Sequence, residues 1–420
     1  MDRFVIRGGK PLVGSVECAR AKNAVLPLFA ACLLTEEGCT IENTPLLEDV
    51  STMLKLLRCI GVKVVMKSRA VKITADGRLN PEAPYDIVRK MRASYYVLGP
   101  LLARFGDCRV SLPGGCAIGP RPVDLHLRGI AALGAKVRIE RGYIRAKAKV
   151  LRGNTMMLEG HKGPSVGATI NTMMAAVLAK GETVIEGAAC EPEVIDVANF
   201  LNKMGAEVTG AGTPIIRING VNKLHGAIHS PIPDRIEAGT FAVAGAITQG
   251  KLVINGCEPR YLTAVLTKLR DAGVRVEWDE SSIRVEARER PKAINISTAP
   301  YPGFPTDLQA QFTALLSIAR GTSTITENIF ESRFLHCLEL NRMGALIDIT
   351  GNMAVIHGIE RLEGAQVMAS DLRASAALVL AGLAARGQTE ILRIYHLDRG
   401  YENLEKKFTR LGADIRRVKS

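Results

Sequence analysis

The sequence is poor in aromatic residues, and this scarcity restricts its possible partners. Only 5% of the 420 residues are aromatic, and there is a single tryptophan. The 55 Lys+Arg exceed the 42 Asp+Glu, and the net charge of +13 favours anionic partners. Proteins that bind nucleic acids usually group their cations and stack aromatic rings on bases, whereas the cations here are dispersed. We therefore expect small anionic ligands and no nucleic acid.

Long hydrophobic runs and paired cysteines are also missing. The longest near-continuous apolar stretches, 24–34 and 374–385, are shorter than the roughly 18–20 residues that a membrane span requires. Residues 1–7 contain no apolar segment typical of a secretory signal. The nine cysteines are odd in number and include no C-x-x-C pair, which argues against a disulfide framework. These features predict a cytoplasmic protein that does not contact a membrane.

A repeated glycine pattern divides the chain into six similar units. In each unit an apolar helical stretch is followed by Gly, then Ala or Val, then any residue, then Val or Ile. The glycines of this first set are Gly61, Gly134, Gly205, Gly273, Gly344 and Gly412. They are 73, 71, 68, 71 and 68 residues apart, and 420/6 is 70, so six units fill the chain.

A second glycine precedes each of these by 23 to 28 residues. The glycines of this second set are Gly38, Gly106, Gly181, Gly250, Gly321 and Gly387. We expect glycines of both sets to end a helix in the left-handed conformation, with a strand following. Residues 222–234 contain Gly226, Pro231 and Pro233 between the third and fourth units, and we predict the domain linker there.

The predicted starts of the first helix in each unit share capping residues, cations and carboxylates. The six starts are Lys22-Asn23, Met91–Ser94, Pro164–Gly167, Asp234-Arg235, Pro305–Asp307 and Asp371–Arg373. Any single one could be an ordinary helix cap. Helix N-termini carry partial positive charge and free N–H groups, so six of them with interleaved cations favour bound anions. The pattern predicts a cleft between two domains that binds phosphorylated or carboxylated ligands.

Two other motifs do not support a function. Residues 245–252 nearly match a phosphate-binding loop, but Leu252 replaces the required Ser or Thr, and the segment runs from helix to strand. His225 and His229 have the spacing of metal ligands on a helix, but Gly226 and two prolines make a helix unfavourable there. We therefore predict no bound metal.

Two loops combine constrained backbone with reactive side chains. Cys116 lies among glycines and prolines, and a thiol with a pKa of about 8.5 can donate a proton or attack an electrophile. Three prolines precede Asp307, which is a candidate general base or simply a helix cap. Arg333, Arg373 and Arg399 lie in polar clusters, where guanidinium groups suit either carboxylates and phosphates or surface ion pairs.

Together these motifs resemble the enolpyruvyl transferases over essentially the whole chain. The most specific segments are 112–125 (LPGGCAIGPRPVDL), 302–311 (PGFPTDLQAQ), 330–336 (FESRFLH), 369–384 (ASDLRASAALVLAGLA) and 393–401 (RIYHLDRGY). The resemblance implies an α/β fold with two domains, an inside-out α/β barrel of six βαβαββ repeats. The first domain would span 22–232 and the second 1–21 plus 233–420, with the active site in the cleft between them.

The resemblance also implies a reaction. The enolpyruvyl group of phosphoenolpyruvate would pass to the 3-hydroxyl of UDP-N-acetylglucosamine through a tetrahedral intermediate, with release of phosphate, as the first committed step of peptidoglycan synthesis. No cofactor is implied, and we expect a monomer. The Gly-Gly-Cys loop separates this chain from related enzymes that use shikimate 3-phosphate. A non-catalytic binding protein and a low-activity paralogue remain open alternatives.

Roles for single residues follow from the same resemblance. Asp307 would remove the proton of the sugar hydroxyl, and Cys116 would protonate the methylene carbon of phosphoenolpyruvate. Cys116 could also form a covalent adduct with that substrate and would be alkylated by fosfomycin. The phosphate would be held by Lys22, Arg121 and Arg399.

The remaining roles concern the substrate carboxylate and the nucleotide sugar. Arg333 and Arg373 would bind the carboxylate, with Asp371 near the reacting carbons. The nucleotide-sugar cleft would be lined by Asn23, Arg92, Arg121, Pro122, Val123, Asp124, Leu125, Ser165, Val166, Gly167 and Ile329. Two positions depart from the family pattern, since Arg20 replaces a small residue and Gly163 replaces a lysine.

Overall fold

The computed structural model describes residues 2–112 and 123–419, which form two compact units. The central unit comprises residues 20–112 and 123–232. The terminal unit comprises residues 2–19 and 233–419, so it contains both ends of the chain.

Strands in the described residues are short, since all have five residues or fewer, and most of the longer ones alternate buried and exposed positions. They are β1 Arg3–Arg7, β2 Val13–Glu17, β3 Cys39–Ile41, β4 Lys63–Lys67, β5 Ala70–Thr74, β6 Glu82–Ala83, β7 Asp107–Ser111, β8 Lys136–Glu140, β9 Tyr143–Lys147, β10 Thr155–Met157, β11 Glu159–Gly160, β12 Gly163–Pro164, β13 Glu182–Glu186, β14 Glu207–Thr209, β15 Ile215–Asn219, β16 Ile228–His229, β17 Lys251–Asn255, β18 Arg275–Trp278, β19 Ser282–Glu286, β20 Ile296–Ser297, β21 Thr322–Thr326, β22 Leu346–Thr350, β23 Met353–His357, β24 Gln366–Met368, β25 Gln388–Leu392 and β26 Asp414–Val418.

Helices alternate with these strands along the chain. They are α1 Lys22–Ala31, α2 Glu48–Ile60, α3 Tyr85–Val88, α4 Leu98–Phe105, α5 Asp124–Ala132, α6 Val166–Ala176, α7 Pro192–Lys203, α8 Arg235–Ile247, α9 Thr263–Asp271, α10 Gln309–Leu316, α11 Leu335–Arg342, α12 Leu372–Ala384 and α13 Leu404–Arg410. Short 3-10 segments occur at Cys32–Leu34, Arg92–Val97, Pro259–Leu262, Thr306–Leu308 and Ile394–Arg399.

Six four-stranded sheets confirm the six repeats, counted over the described ranges. Their strand orders are β16-β3-β5-β4, β6-β7-β9-β8 and β10-β13-β15-β14 in the central unit, and β2-β17-β19-β18, β20-β21-β23-β22 and β24-β25-β1-β26 in the terminal unit. In each sheet an edge strand runs parallel to its neighbour, and the other two pairings are antiparallel. The elements β20-α10-β21-α11-β22-β23 follow one another in the predicted βαβαββ order.

Strands distant in sequence complete three of the sheets. β16, near the end of the central unit, pairs in parallel with β3 at its beginning. In the terminal unit β2 pairs with β17, and β1 lies between β25 and β26. In both units, therefore, strands that are distant in the sequence pair with one another to complete a sheet. The sequence repeat did not indicate these pairings.

The first helices of the repeats lie at the centre of each unit, and the sheets cover them. α8, α10 and α12 contact one another in the terminal unit, and every residue of α8 after Arg235 is buried. The small and apolar residues of these helices allow burial on all sides, because no polar face has to meet water. The second helices and the outer faces of the strands keep exposed polar residues. This arrangement confirms the predicted inside-out α/β barrel.

The glycine prediction is confirmed for one set and partly wrong for the other. All six glycines of the first set have positive φ, between 83° and 103°. In the second set Gly38 and Gly250 do not have positive φ. Gly250 is required for a different reason, since a Cβ there would lie 2.1 Å from the carbonyl oxygen of Leu12.

Candidate active site

The six helix starts predicted from the sequence are confirmed. Helical or 3-10 structure begins at Lys22, Arg92, Val166, Arg235, Thr306 and Leu372. Three of them have side-chain caps, because Ser165, Asp234 and Asp371 each accept a hydrogen bond from a backbone N–H of the following turn. These caps satisfy donors that would otherwise be free at the helix ends.

Asp307 binds two arginines in the terminal unit. Its Oδ1 accepts a hydrogen bond from Arg333 Nη1 at 2.9 Å, and its Oδ2 accepts one from Arg373 Nη2 at 2.8 Å. Both arginine side chains are 5% exposed, whereas the Asp307 side chain is 27% exposed. The structure therefore brings together three residues that the sequence predicted for one site, and it orients both guanidinium groups towards one anion.

The surroundings of Asp307 determine its ionisation. Burial alone would raise the pKa of Asp307, but the charges and hydrogen bonds of Arg373 and Arg333 outweigh that effect and lower the pKa well below its ordinary value. Burial opposes the charge of Arg373, but Asp307 and Tyr401 together raise its pKa. Asp307 is thus a firmly ionised carboxylate in this arrangement.

A buried polar network supports Arg373 from behind. Arg373 Nη1 donates to the hydroxyl of Tyr401 at 3.3 Å, and that hydroxyl lies 2.8 Å from Thr240 Oγ1. Gln311 Nε2 lies within 3.2 Å of Thr240 Oγ1 and 3.4 Å of the Tyr401 hydroxyl. Since Thr240, Gln311 and Arg373 come from α8, α10 and α12, the network connects all three central helices of the unit.

A buried glutamate organises the other side of the site. Glu327, at the end of β21, accepts hydrogen bonds from the hydroxyls of Thr298 and Thr306 at 2.8 Å and from the backbone N–H of Ile329 at 2.9 Å. Thr306 Oγ1 in turn accepts a hydrogen bond from Arg333 Nη1 at 3.0 Å. A continuous chain of hydrogen bonds therefore runs from Glu327 through Thr306 and Arg333 to Asp307.

Asp371 and Arg399 lie on neighbouring segments of the terminal unit. Asp371 caps α12 through the backbone N–H groups of Arg373 and Ala374, at 2.9 and 3.1 Å. Burial lowers the pKa of His396, as does the charge of Arg399, while Asp371 raises it. Both predicted residues thus act electrostatically on one histidine.

Lys22 and Asp49 form a buried ion pair in the central unit. Lys22 Nζ lies 3.1 Å from Asp49 Oδ2, with the side chains 11% and 5% exposed. Burial fixes the position of the ammonium group, although such a pair costs desolvation energy. Asn23, next in the chain, is exposed. Asp49 was not predicted, and its place inside α2 gave no sequence signal.

Three other predicted residues of the central unit lie around the buried ring of His126. Its Nδ1 lies 3.2 Å from Asn171 Nδ2, and a Cβ on Gly167 would lie 2.9 Å from its ring. Burial lowers the pKa of His126 to about 4, helped by the charge of Arg92 and opposed by Asp124. Arg92, Asp124 and Gly167 are thus brought around one neutral ring.

Some of the other predicted positions lie among the described residues and some do not. Val123 and Leu125 are partly buried at the start of α5, and Ser165 and Val166 are partly buried at the start of α6. Cys116, Arg121 and Pro122 lie outside the described residues.

Metal ligands and membrane spans give no further candidates. In residues 2–112 and 123–419 no group of three or more His, Cys, Asp or Glu side chains could hold a metal ion. His229 instead binds Asp196 at 2.8 Å, and both side chains are buried. Over the same ranges none of the helices has the length and apolar character needed to cross a bilayer.

Comparison with known proteins decides the family. The sequence matches the family described as EPSP synthase (3-phosphoshikimate 1-carboxyvinyltransferase) over residues 6–408. The chain belongs to the enolpyruvyl transferase family. It is 55% identical to the UDP-N-acetylglucosamine 1-carboxyvinyltransferase of Geobacter metallireducens and 52% identical to the one of Myxococcus xanthus, covering 100% of this chain and of each relative.

Solved structures of the family agree with this fold. The enolpyruvyl transferase NikO from Streptomyces tendae matches with a TM-score of 0.89 at 25% identity, covering 100% of this chain and 99% of that protein. An EPSP synthase from Acinetobacter baumannii matches with a TM-score of 0.77 at 19% identity over 100% of both chains, which supports the fold alone. This enolpyruvyl transferase is therefore an enzyme of the transferase class with the predicted fold.

Proposed function

We propose that this enolpyruvyl transferase moves the enolpyruvyl group of phosphoenolpyruvate to the 3-hydroxyl of UDP-N-acetylglucosamine and releases phosphate. The product would enter peptidoglycan synthesis, and the enzyme would work in the cytoplasm as a monomer. The observation that carries the proposal is the Asp307 carboxylate held between the buried Arg333 and Arg373. Full-length relatives named for the same acceptor support the choice of sugar.

The first half of the reaction is an addition. Asp307 removes the proton of the sugar 3-hydroxyl, and the oxygen bonds to C2 of phosphoenolpyruvate. Cys116 supplies a proton to C3, which converts the methylene to a methyl group and completes the tetrahedral intermediate. Arg333 and Arg373 hold the carboxylate, a task that suits their forked donors and nearly complete burial.

The second half is an elimination. The Cys116 thiolate left by the addition takes a proton back from the methyl group while the C2–O bond to phosphate breaks, so the double bond forms again. Free phosphate departs with the proton that Asp307 had accepted, which returns both residues to their starting states. Lys22, Arg121 and Arg399 hold the phosphate and stabilise the negative charge that develops on it. The buried ion pair with Asp49 keeps the Lys22 ammonium in a fixed place.

The nucleotide sugar needs a separate set of residues. We propose that its site is lined by Asn23, Arg92, Arg121–Leu125, Ser165–Gly167 and Ile329. The N-terminus of α6 offers backbone N–H groups of the type that bind phosphate oxygens. The ring of His126 lies beside Gly167 near this N-terminus, and burial together with the charge of Arg92 keeps that ring neutral.

Phosphate release from phosphoenolpyruvate tests the proposal. We expect release with UDP-N-acetylglucosamine, none with shikimate 3-phosphate, and a loss of about 100-fold or more in Asp307→Ala, the range of one general base. Asp348→Ala is the matched control, because Asp348 is an exposed carboxylate of the same unit with its side chain 81% exposed. Release with shikimate 3-phosphate would overturn the acceptor, and no release with either acceptor would overturn the activity.

A further inference from the structure

Arg333 and Arg373 of the terminal unit bind an anionic side chain of the protein itself, the carboxylate of Asp307. Each oxygen of the Asp307 carboxylate accepts one hydrogen bond, from Arg333 at 2.9 Å and from Arg373 at 2.8 Å. The carboxylate is the accessible member, since its side chain is 27% exposed and each arginine is 5% exposed. An anion arriving from solvent would therefore meet Asp307 first and the arginines behind it.

One buried donor beside Asp307 is not satisfied. Arg333 Nε has no hydrogen-bond partner among the described residues, although Arg333 is 5% exposed. A buried guanidinium N–H without an acceptor costs free energy, and the Nε–Nη edge is the edge that binds a carboxylate in bidentate fashion. Asp307 uses only the Nη1 of Arg333. The guanidinium pair can therefore bind a carboxylate more completely than Asp307 does.

The two proposed roles of these residues compete for the same hydrogen bonds. A carboxylate that accepts from two guanidinium groups is a weak base, and the two cations hold the pKa of Asp307 well below its ordinary value. Arginines occupied by Asp307 cannot at the same time bind a substrate carboxylate with those N–H groups. The proposed catalysis therefore has two requirements. Asp307 has to become a stronger base, and the arginines have to become available to the substrate carboxylate.

We propose that Asp307 occupies the place of the substrate carboxylate, and that phosphoenolpyruvate displaces it from Arg333 and Arg373 and thereby frees it to act as the base. This exchange rests on the proposed function. The incoming carboxylate takes over the donors of both guanidinium groups and can also satisfy Arg333 Nε. Asp307, without its two charge-assisted hydrogen bonds, then accepts the proton of the sugar hydroxyl more readily. Proton removal is in this way delayed until the second substrate is present.

The exchange makes Asp307 a competitor of phosphoenolpyruvate, and this gives the test. The affinity for phosphoenolpyruvate is measured by calorimetry in wild type, Asp307→Asn and Asp307→Ala, with each protein saturated with the 3-deoxy analogue of UDP-N-acetylglucosamine, which lacks the hydroxyl that reacts. We expect both variants to bind phosphoenolpyruvate at least tenfold more tightly than wild type while turnover is lost, because the internal competitor is absent. Binding that is unchanged or weaker in both variants would overturn the exchange.

A second variant that also removes one negative charge serves as the control. It shows whether tighter binding of phosphoenolpyruvate comes from freed guanidinium donors or only from the loss of a nearby charge. Asp234 acts electrostatically on Arg373, but it accepts hydrogen bonds from the backbone N–H groups of Ile236 and Glu237 and not from a guanidinium group. We expect Asp234→Asn to change the affinity for phosphoenolpyruvate by less than about threefold, since its charge is removed without freeing a guanidinium donor. A tightening equal to that of Asp307→Asn would overturn the exchange.

Loss of Asp307 leaves two buried arginines without their anion, so stability has to be followed as well. If Asp307→Ala is destabilised, phosphoenolpyruvate should raise its melting temperature by more than that of wild type, because only the variant lacks a carboxylate there. An equal or smaller rise would contradict the exchange. Absence of phosphate release by wild type overturns the proposed function itself, whereas normal wild-type release with unchanged variant affinity overturns the exchange alone.

Discussion

At the scale of single residues, the site was only partly visible in the sequence. Asp307, Arg333 and Arg373 were predicted for one active site, but not that one carboxylate would bind both arginines. Glu327 and Tyr401 were not predicted to have roles. Tyr401 ends a family-like segment and Glu327 lies three residues before another, so proximity to these segments was the only available signal.

Tyr401 offers a direct test of the network behind Arg373. Tyr401→Phe removes the hydroxyl that accepts from Arg373 Nη1 and leaves the ring in place. Because hydrogen bonds to charged groups contribute about 1.5–3 kcal/mol, we expect the KM for phosphoenolpyruvate to rise roughly tenfold with kcat within about threefold. Tyr395→Phe is the control, since Tyr395 is 46% exposed on a neighbouring segment. Equal effects of the two substitutions in steady-state assays would contradict a positioning role.

Cys116 lies outside the described residues, and its role is tested by chemistry. If it is the reactive thiol that the family resemblance implies, fosfomycin should add one molecule to the wild-type chain and none to Cys116→Ser. Intact-mass measurement after incubation shows the difference. Cys59→Ser is a suitable control, because Cys59 is an exposed free cysteine of the central unit. An unmodified wild-type chain would count against Cys116 as the nucleophile.

At the scale of elements, the glycines explain how one repeat is formed six times. Glycines of the first set adopt positive φ because the chain must leave a helix and enter a strand within a few residues. The second set serves two purposes. Most of its members use positive φ, whereas Gly250 permits close approach of the Leu12 backbone. A shared sequence pattern therefore does not guarantee a shared backbone conformation.

Gly134→Ala measures the conformational contribution alone. Gly134 has a φ of +90°, and a Cβ there would meet no atom within 4 Å, so strain is the only cost. We expect a loss of about 1–2 kcal/mol in the free energy of unfolding, measured by urea denaturation. Gly77→Ala provides the control, since Gly77 is equally open but lacks the left-handed φ. That variant should be neutral or slightly more stable, and comparable losses in both would refute the explanation.

At the scale of the whole molecule, buried neutral histidines connect stability to pH. Burial, the charge of Arg92 and the opposing charge of Asp124 leave the pKa of His126 at about 4, below its ordinary 6.5. As the pH falls from 6.5 towards 4, the unfolded chain takes up a proton that the folded chain does not bind. Stability from this site is therefore complete above pH 6.5 and decreases on acidification.

The expected size of this effect can be measured. Lowering the pH from 7 to 5 should reduce the free energy of unfolding by about 2 kcal/mol through His126 alone, at about 1.4 kcal/mol per pKa unit. His126→Gln should remove that part of the pH dependence, as seen in urea unfolding curves at both pH values. His161 is exposed, so the control variant His161→Gln should keep the wild-type pH dependence of the free energy of unfolding. The idea fails if His126→Gln retains the full wild-type dependence.

The repeat number, the starts of the central helices and the family could all be predicted from the amino-acid sequence. These features depend on local patterns, since a helix cap, an apolar stretch and a left-handed glycine act within a few residues of the chain. The family segments likewise identified Asp307, Arg333 and Arg373 as candidates. That residues 22–232 and 1–21 plus 233–420 are separate domains stays a prediction.

Contacts between residues distant in the sequence could not be predicted and became visible in the folded chain. β1 and β2 complete sheets with strands more than two hundred residues away. Tyr401 links Thr240 and Gln311 to Arg373, and Thr306 links Glu327 to Arg333. Side-chain partners buried inside a barrel are set by the packing of several elements at once, and spacing along one segment does not encode them. The occupation of both arginines by Asp307 is such a tertiary result, because it needs three segments to converge on one carboxylate.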